Sequence, residues 1–140
     1  MISVRKQEVV KLEDVLHLYQ AVGWTNYTNQ PQMLEQALSH SLATYLARDG
    51  EEIVGLVRLV GDGFSSVFVQ DLIVLPSYQR QGIGSNLMKE ALADYKDAYQ
   101  IQLATEQTEK TLGFYRSLGF ETLSTYDCTG MIWVNRKNLK

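Results

Sequence analysis

At 140 residues and a formal net charge of -3, the chain suits one domain that buries roughly two thirds of its unfolded surface, without the basic excess that binding a nucleic-acid backbone demands. Hydrophobic residues at 45% and charged residues at 21% exclude a disordered chain, and a single cysteine, Cys128, excludes an internal disulfide and points weakly to a reducing compartment. Met1–Glu8 lacks the apolar stretch of a signal peptide, and no run approaches the ~18 apolar residues of a membrane helix, so the expectation is a soluble, cytoplasmic domain over residues 1–140 with no nucleic-acid or membrane partner.

Ile2 to Val9 reads as a first strand, and a helix follows from Glu13 to Val22 with Leu12, Val15, Leu16, Leu18 and Tyr19 on one face, stopped at Gly23. Trp24 to Asn29 is predicted as an aromatic, polar loop, and Pro31 opens a second helix to about Ser39. Thr44 to Arg48 and Ile53 to Val60 form a hairpin about Asp49-Gly50, and Asp62-Gly63 turns into the next strand. Ile101 to Thr105 reads as a short strand and Thr108 to Leu118 as a helix. Glu121 to Tyr126 and Met131 to Asn135 are expected as closing strands.

The centre of the pattern is Val67 to Tyr95, a strand, a short turn and a helix. Apolar residues occupy both parities of the strand, as burial on both faces requires. Gln70-Asp71 interrupts it, and such a break either finds hydrogen-bond partners or marks a bulge where the ladder opens. Beyond Pro76 the period changes to Ile83, Leu87, Met88, Ala91, Leu92 and Tyr95, a helical spacing. The first helical turn holds glycine and no carboxylate, so its free N–H groups and positive dipole end form an anion site, most naturally for phosphate or pyrophosphate. A Walker loop would need a Lys followed by Ser or Thr, and a Rossmann fingerprint a small residue where Leu87 stands. Without a further motif, a plain helix-start turn explains Gly82 and Gly84 as well.

What remains is Gln79-Arg80-Gln81-Gly82-Ile83-Gly84 after Leu72-Ile73-Val74-Leu75-Pro76, with a second anchor in Phe114-Tyr115-Arg116-Ser117-Leu118-Gly119-Phe120. Together these resemble the GNAT superfamily of acetyl-CoA-dependent N-acetyltransferases. The resemblance implies an α/β fold: a mixed, mostly antiparallel seven-stranded sheet, splayed at its centre beside Gln70-Asp71, with about four helices. It implies acetyl-CoA as cosubstrate and no metal. Backbone groups of Leu72, Ile73 and Val74 would pair with the pantetheine arm, and the amides of Arg80, Gln81, Gly82, Ile83, Gly84 and Ser85 would hold the pyrophosphate, with Gln79 or Arg80 nearby. Tyr115 matches the family tyrosine that protonates the leaving thiolate. With ordinary values of about 10 and about 8.5, full proton transfer is uphill by roughly 2 kcal/mol, so a hydrogen bond from Tyr115 is the lesser alternative. Many members carry an Asn where Thr108 stands, and a hydroxyl makes only part of that amide's contact with the cofactor.

Asp71, a carboxylate in an apolar strand, is the candidate base for the amine, and equally a structural bulge residue. Trp24 and Tyr27, with Asp71, would wall the acceptor site, or the two aromatics belong to the core. Arg58, Arg48 and Tyr45 face either an acceptor or solvent, and His17 and His40 are ordinary helix or surface residues. Val22-Gly23-Trp24, the stretch from Asp71 to Gly84 and Gly130-Met131-Ile132-Trp133 resemble the plant and cyanobacterial branch that includes serotonin-type arylalkylamine acetyltransferases. The expected function is direct acetyl transfer, in a ternary complex, to a primary amine of a small molecule or peptide. The contrasting reading is a non-catalytic coenzyme A-binding sensor or interaction module. A homodimer is common in the family.

Overall fold

The computed structural model describes residues 1–135, which form two compact units divided between Leu103 and Ala104. The first contains β1 (Ile2–Gln7), α1 (Leu12–Ala21), α2 (Thr25–Thr28), α3 (Pro31–Ser39), β2 (Ala43–Asp49), β3 (Glu52–Gly61), β4 (Ser66–Val74), α4 (Ile83–Asp94) and β5 (Gln100–Leu103). The sheet order is β1-β2-β3-β4-β5, antiparallel through β4 and parallel between β4 and β5.

Local sequence explains most of these elements. Glu13 and Asp14 sit in the first turn of α1, where the helix dipole favours them. Pro31 opens α3, where a missing N–H costs nothing. The expected Trp24–Asn29 loop contains a one-turn helix instead, because Trp24 and Tyr27, three residues apart, turn together onto Tyr19 at centroid distances of 6.1 and 5.1 Å.

One face of the sheet packs Leu46, Leu56 and Ile73 with Val15, Leu18, Tyr19, Leu34 and Leu38 of α1 and α3. Each fully buried leucine there contributes about 2 kcal/mol by leaving water. The other face receives α4 through Ile83, Leu87, Met88 and Ala91. A Cβ on Gly55 would meet Leu87 Cδ1 and the Ile73 carbonyl oxygen, each at 3.1 Å, so glycine sets the closeness of α4 to the sheet.

The second unit holds α5 (Glu109–Ser117) and a short 3-10 turn at Leu123–Tyr126. The expectation of seven strands is corrected: the described residues form five, with five α-helices counting the single turn of α2. Glu121 to Tyr126 takes local bonds rather than ladder bonds, Thr125 N–H to the Thr122 carbonyl at 3.0 Å and Asp127 N–H to that of Ser124 at 3.1 Å. The Thr122 and Ser124 hydroxyls, 2.9 Å apart, belong to residue types that favour such turns. Met131, Ile132 and Trp133 have strand-favouring side chains but are 95%, 85% and 86% exposed, with no ladder partner among the described residues.

Candidate functional site

β3 and β4 pair from Gly55↔Val74 to Arg58↔Asp71, then slip so that Leu59 faces Val69. Gln70 is the extra residue of a β-bulge, as the Gln70-Asp71 break suggests. The parallel ladder to β5 runs from Ser66↔Gln100 only as far as Val69↔Leu103. Beyond the bulge, β4 therefore has β3 on one side and no strand on the other among the described residues. The ladder stops where β5 itself ends, at Leu103.

The direction of the backbone groups follows. Leu75 N–H donates to the Val54 carbonyl at 2.9 Å, and the Ile73 carbonyl crowds Gly55, so both point to β3. Alternation along an antiparallel strand turns the N–H and C=O of Leu72 and Val74 to the open edge. The Val74 carbonyl accepts Gln79 Nε2 there at 3.2 Å. Of the three residues expected to pair with a ligand arm, Leu72 and Val74 face the edge and Ile73 faces its neighbour strand.

After β4, a 3-10 turn at Pro76–Tyr78 leads into the loop before α4. Tyr78 donates to Asp49 Oδ2 at 2.7 Å, which ties the loop to the β2–β3 hairpin and pushes the phenol up to about 12. Arg80 (φ 67) and Gly82 (φ 79) are both left-handed, and Gly82 is the N-cap of α4. Left-handed residues in such a turn gather successive N–H groups into a concave anion site. Among the described residues no acceptor meets the N–H of Arg80, Gln81, Gly82, Ile83, Gly84 or Ser85, whereas Asn86 N–H donates to the Gly82 carbonyl at 3.0 Å. The first turn of α4 carries no carboxylate, and Gln79 to Gly82 are exposed. Six free donors at a positive helix end, with the Arg80 cation beside them, fit a pyrophosphate.

Asp71 is the first residue of β4 beyond the bulge, opposite Arg58 of β3. It is 2% exposed, and its Oδ2 accepts from Tyr19 OH at 2.8 Å and Arg58 Nε at 2.7 Å, its Oδ1 from Tyr27 OH at 2.8 Å. Arg58 also donates to Tyr27 OH at 3.2 Å, Ser41 Oγ at 3.2 Å and the Ala37 carbonyl at 3.5 Å. Gln70 Nε2 donates to Tyr27 OH at 3.4 Å. Burial first, and the charge of Asp71 second, hold the Tyr19 and Tyr27 phenols above their ordinary value, so both remain donors. The partners are side chains of α1, α2 and β3 rather than neighbouring backbone, and the closed set favours the structural reading of Asp71.

Trp24 and Tyr27 belong with this network. Tyr27 lies in the core and Trp24, half-buried, packs against it, with their rings 6.2 Å apart. Arg58 and Tyr45 are buried rather than solvated: Arg58 pairs with Asp71, and Tyr45 donates to Asp94 of α4 at 2.6 Å. His17 Nε2 meets the Ile53 carbonyl at 2.8 Å and His40 Nδ1 that of Gln36 at 2.8 Å, both structural contacts. Among the described residues no group of three or more His, Cys, Asp or Glu side chains is placed to hold a metal ion, and no helix is long and apolar enough to cross a membrane. Sequence reasoning missed the roles of Arg58 and Tyr19. The available signal was a lone cation in the apolar strand next to the one that carries a lone carboxylate.

In the second unit, Thr108 is the N-cap of α5. Its Oγ1 accepts Thr111 N–H at 3.2 Å and donates to Thr111 Oγ1 at 2.8 Å. Tyr115 stands edge-on to Phe114 and Phe120, with centroids at 5.0 and 5.9 Å. Burial raises its phenol above the ordinary value, and a hydrogen bond with Thr105 works the other way. Tyr115 is therefore a neutral donor at physiological pH.

Residues 40–122 match the family described as "Acetyltransferase (GNAT) domain". Among solved structures, an acetyltransferase, GNAT family protein of Streptococcus pneumoniae TIGR4 is 79% identical, superposes with a TM-score of 0.90, and is matched over 97% of this chain and 99% of its own. GCN5-related N-acetyltransferase 1, chloroplastic, of Arabidopsis thaliana is 28% identical over 97% of this chain and 68% of its own length. Serotonin N-acetyltransferase 2, chloroplastic, of Oryza sativa subsp. japonica is 33% identical over 65% of this chain, which spans 48% of that protein. With an open edge on β4 and an amide-lined turn before α4, the chain belongs to the GNAT family, the acetyltransferases that use acetyl-CoA.

Proposed function

We propose that the chain transfers the acetyl group of acetyl-CoA to a primary amine of a small molecule or peptide by direct transfer in a ternary complex. The observation that carries this reading is the run of N–H groups from Arg80 to Ser85 with no acceptor among the described residues. On this reading the pyrophosphate lies on those amides with Gln79 and Arg80 at hand, and the pantetheine arm pairs with Leu72 and Val74 as an added strand would.

Acetyl-CoA supplies an activated acyl group and a leaving thiolate. The chain's own residues manage the charge. A neutral amine forms the new N–C bond as the C–S bond breaks, the carbonyl oxygen gains charge that an edge N–H of Leu72 stabilises, and the proton the nitrogen sheds passes to solvent as the leaving group departs as a thiolate. Tyr115, held neutral, donates a hydrogen bond to the thiolate; its raised value disfavours complete proton transfer to a thiol of about 8.5. Asp71 serves by holding Tyr27 and the bulge, since its own three donors close it off from the amine. Similarity to the rice serotonin N-acetyltransferase makes an arylalkylamine the first acceptor class.

The test is free thiol release from acetyl-CoA across a panel of arylalkylamines, polyamines and short peptides, beside calorimetric binding of acetyl-CoA. Turnover with one amine class is expected and names the acceptor. Tight binding without turnover on any amine would replace the enzyme with a coenzyme A-binding module, and no binding would sink the reading of the Arg80–Ser85 amides.

A further inference from the structure

We propose that Arg58 is a positioning residue for the acyl transfer: paired with Asp71 across the register step, it selects the bulged pairing of β3 and β4 and so fixes which backbone groups face the open edge. The inference rests on the reading of that edge as the seat of the pantetheine arm.

Two registers are open to these strands. The ladder below the step pairs Leu59 with Val69. Continued without an extra residue, it would set Arg58 opposite Gln70, Val57 opposite Asp71 and Leu56 opposite Leu72. Side chains alternate with a period of two, so this one-residue slip would exchange the faces of everything from Asp71 to Val74. Ile73, not Leu72 and Val74, would then turn its N–H and C=O to the open edge. The apolar residues Leu72, Ile73 and Val74 tolerate either arrangement, because both faces of the sheet are covered.

Asp71 does not. In the observed register it shares a face with Arg58, Tyr19 and Tyr27, all of which donate to it or to one another. In the slipped register its carboxylate would share the face of Val57, against α4, away from every one of those donors, and burial of an unpaired carboxylate is strongly disfavoured. Arg58 would be orphaned in the same step, since its Nε bonds only to Asp71. A buried ion pair adds little net stability over an apolar pair, but it discriminates well between registers. The bulge is also where the β5 ladder stops, at Val69↔Leu103. One charge pair thereby sets the pairing and the direction of the exposed groups together.

The test compares the protein with Arg58→Met/Asp71→Leu, which replaces the pair by apolar side chains of similar reach, and with Arg58→Gln. Three readouts are taken: acetyl-CoA affinity by calorimetry, KM against kcat with an amine that turns over, and backbone cross-strand nuclear Overhauser contacts of Val57. The double variant is expected to fold cooperatively, to show Val57 contacts with position 71 beside or in place of Leu72, and to lose about tenfold in acetyl-CoA affinity through KM more than kcat. Unchanged affinity, or lowered affinity with the Val57–Leu72 contact alone retained, overturns the inference. Should the double variant fail to fold, Arg58→Gln decides by the same contacts: a single parental set overturns the inference and a second set supports it. If the unmodified protein does not bind acetyl-CoA, the proposed function fails by itself, and the Val57 contacts alone judge whether Arg58 selects the register.

Discussion

Gln70 and Asp71 are consecutive in β4, yet both reach the hydroxyl of Tyr27, which donates to Asp71 Oδ1 at 2.8 Å and accepts from Gln70 Nε2 at 3.4 Å. Neighbours in a regular strand point to opposite faces, so this shared partner is the bulge expressed in side chains. Asp71→Ala would strand the Arg58 guanidinium and two phenols in the core. The expected cost is about 3–5 kcal/mol in a urea titration. Tyr19→Phe alone should cost about 1.5 kcal/mol, as a lost bond to a charged acceptor, and clearly less in the Asp71→Ala background. Equal costs in both backgrounds would mean that Tyr19 is not stabilised by Asp71. Asp71→Asn, if it folds, is expected to leave the shape of the pH–rate profile unaltered. A displaced acidic limb would return Asp71 to the role of base.

The loop before α4 makes a separate claim about backbone and charge. Arg80 is left-handed at φ 67, a conformation that costs a non-glycine residue about 1 kcal/mol. Arg80→Gly removes both the strain and the cation, whereas Arg80→Ala removes only the cation. The glycine variant should therefore be the more stable of the two by about that amount. Because the cation is lost in both, both should show the same rise in KM for acetyl-CoA. Gly82→Ala meets no atom within 4 Å, so its penalty is conformational alone. It should raise KM about fivefold, with a small fall in Tm, by disturbing the left-handed turn that gathers the amides. An unchanged KM in Gly82→Ala would show that the turn does not shape the anion site.

How far the sequence reaches is visible in these same residues. The change of period at Gly82, with no carboxylate in the next turn, marks the anion loop because it depends only on neighbours in the chain. Gln70-Asp71 marks a polar break in a buried strand, but not the face it serves. That depends on register, and register on Arg58, whose own strand gives a period but no partner. The same limit explains Arg58 itself: a charge in a strand reads as solvated until its counter-charge, thirteen residues on, is seen opposite it. Trp24 and Tyr27 carry the spacing of a helical turn, yet four residues are too few for periodicity to separate a turn from a loop. Met131 to Val134 has the composition of a strand, but a strand is a property of two segments, and composition describes one. The seven-stranded expectation came from family resemblance more than from periodicity in those residues.

Tyr115→Phe isolates the hydrogen bond to the leaving thiolate. Phe keeps the ring between Phe114 and Phe120 and removes only the hydroxyl. Turnover should fall by about 10- to 100-fold, while acetyl-CoA affinity measured by calorimetry stays within about twofold. Because burial raises the Tyr115 phenol, the alkaline limb of the pH–rate profile that belongs to it should lie above its ordinary value of about 10. Unchanged turnover in the phenylalanine variant removes Tyr115 from the mechanism.

Asp62 governs a pH dependence that has nothing to do with turnover. Its Oδ1 accepts the N–H groups of Phe64, Ser65 and Ser66 at 2.7, 2.8 and 3.1 Å, and its Oδ2 the Ser65 hydroxyl at 2.6 Å, at the turn into β4. The Ser65 hydroxyl first, then those amides, hold its carboxyl well below the usual carboxylate range. A group whose value is depressed by folding contributes stability that is fully present above its unfolded value, about 3.9, and is lost as the pH falls toward its folded one. Stability should thus decline more steeply in the unmodified protein than in Asp62→Asn between about pH 5 and pH 3, since the amide still accepts the backbone bonds but binds no proton. Urea midpoints at stepped pH check this. Parallel declines in the two proteins would show that protonation of Asp62 is not coupled to folding of the turn.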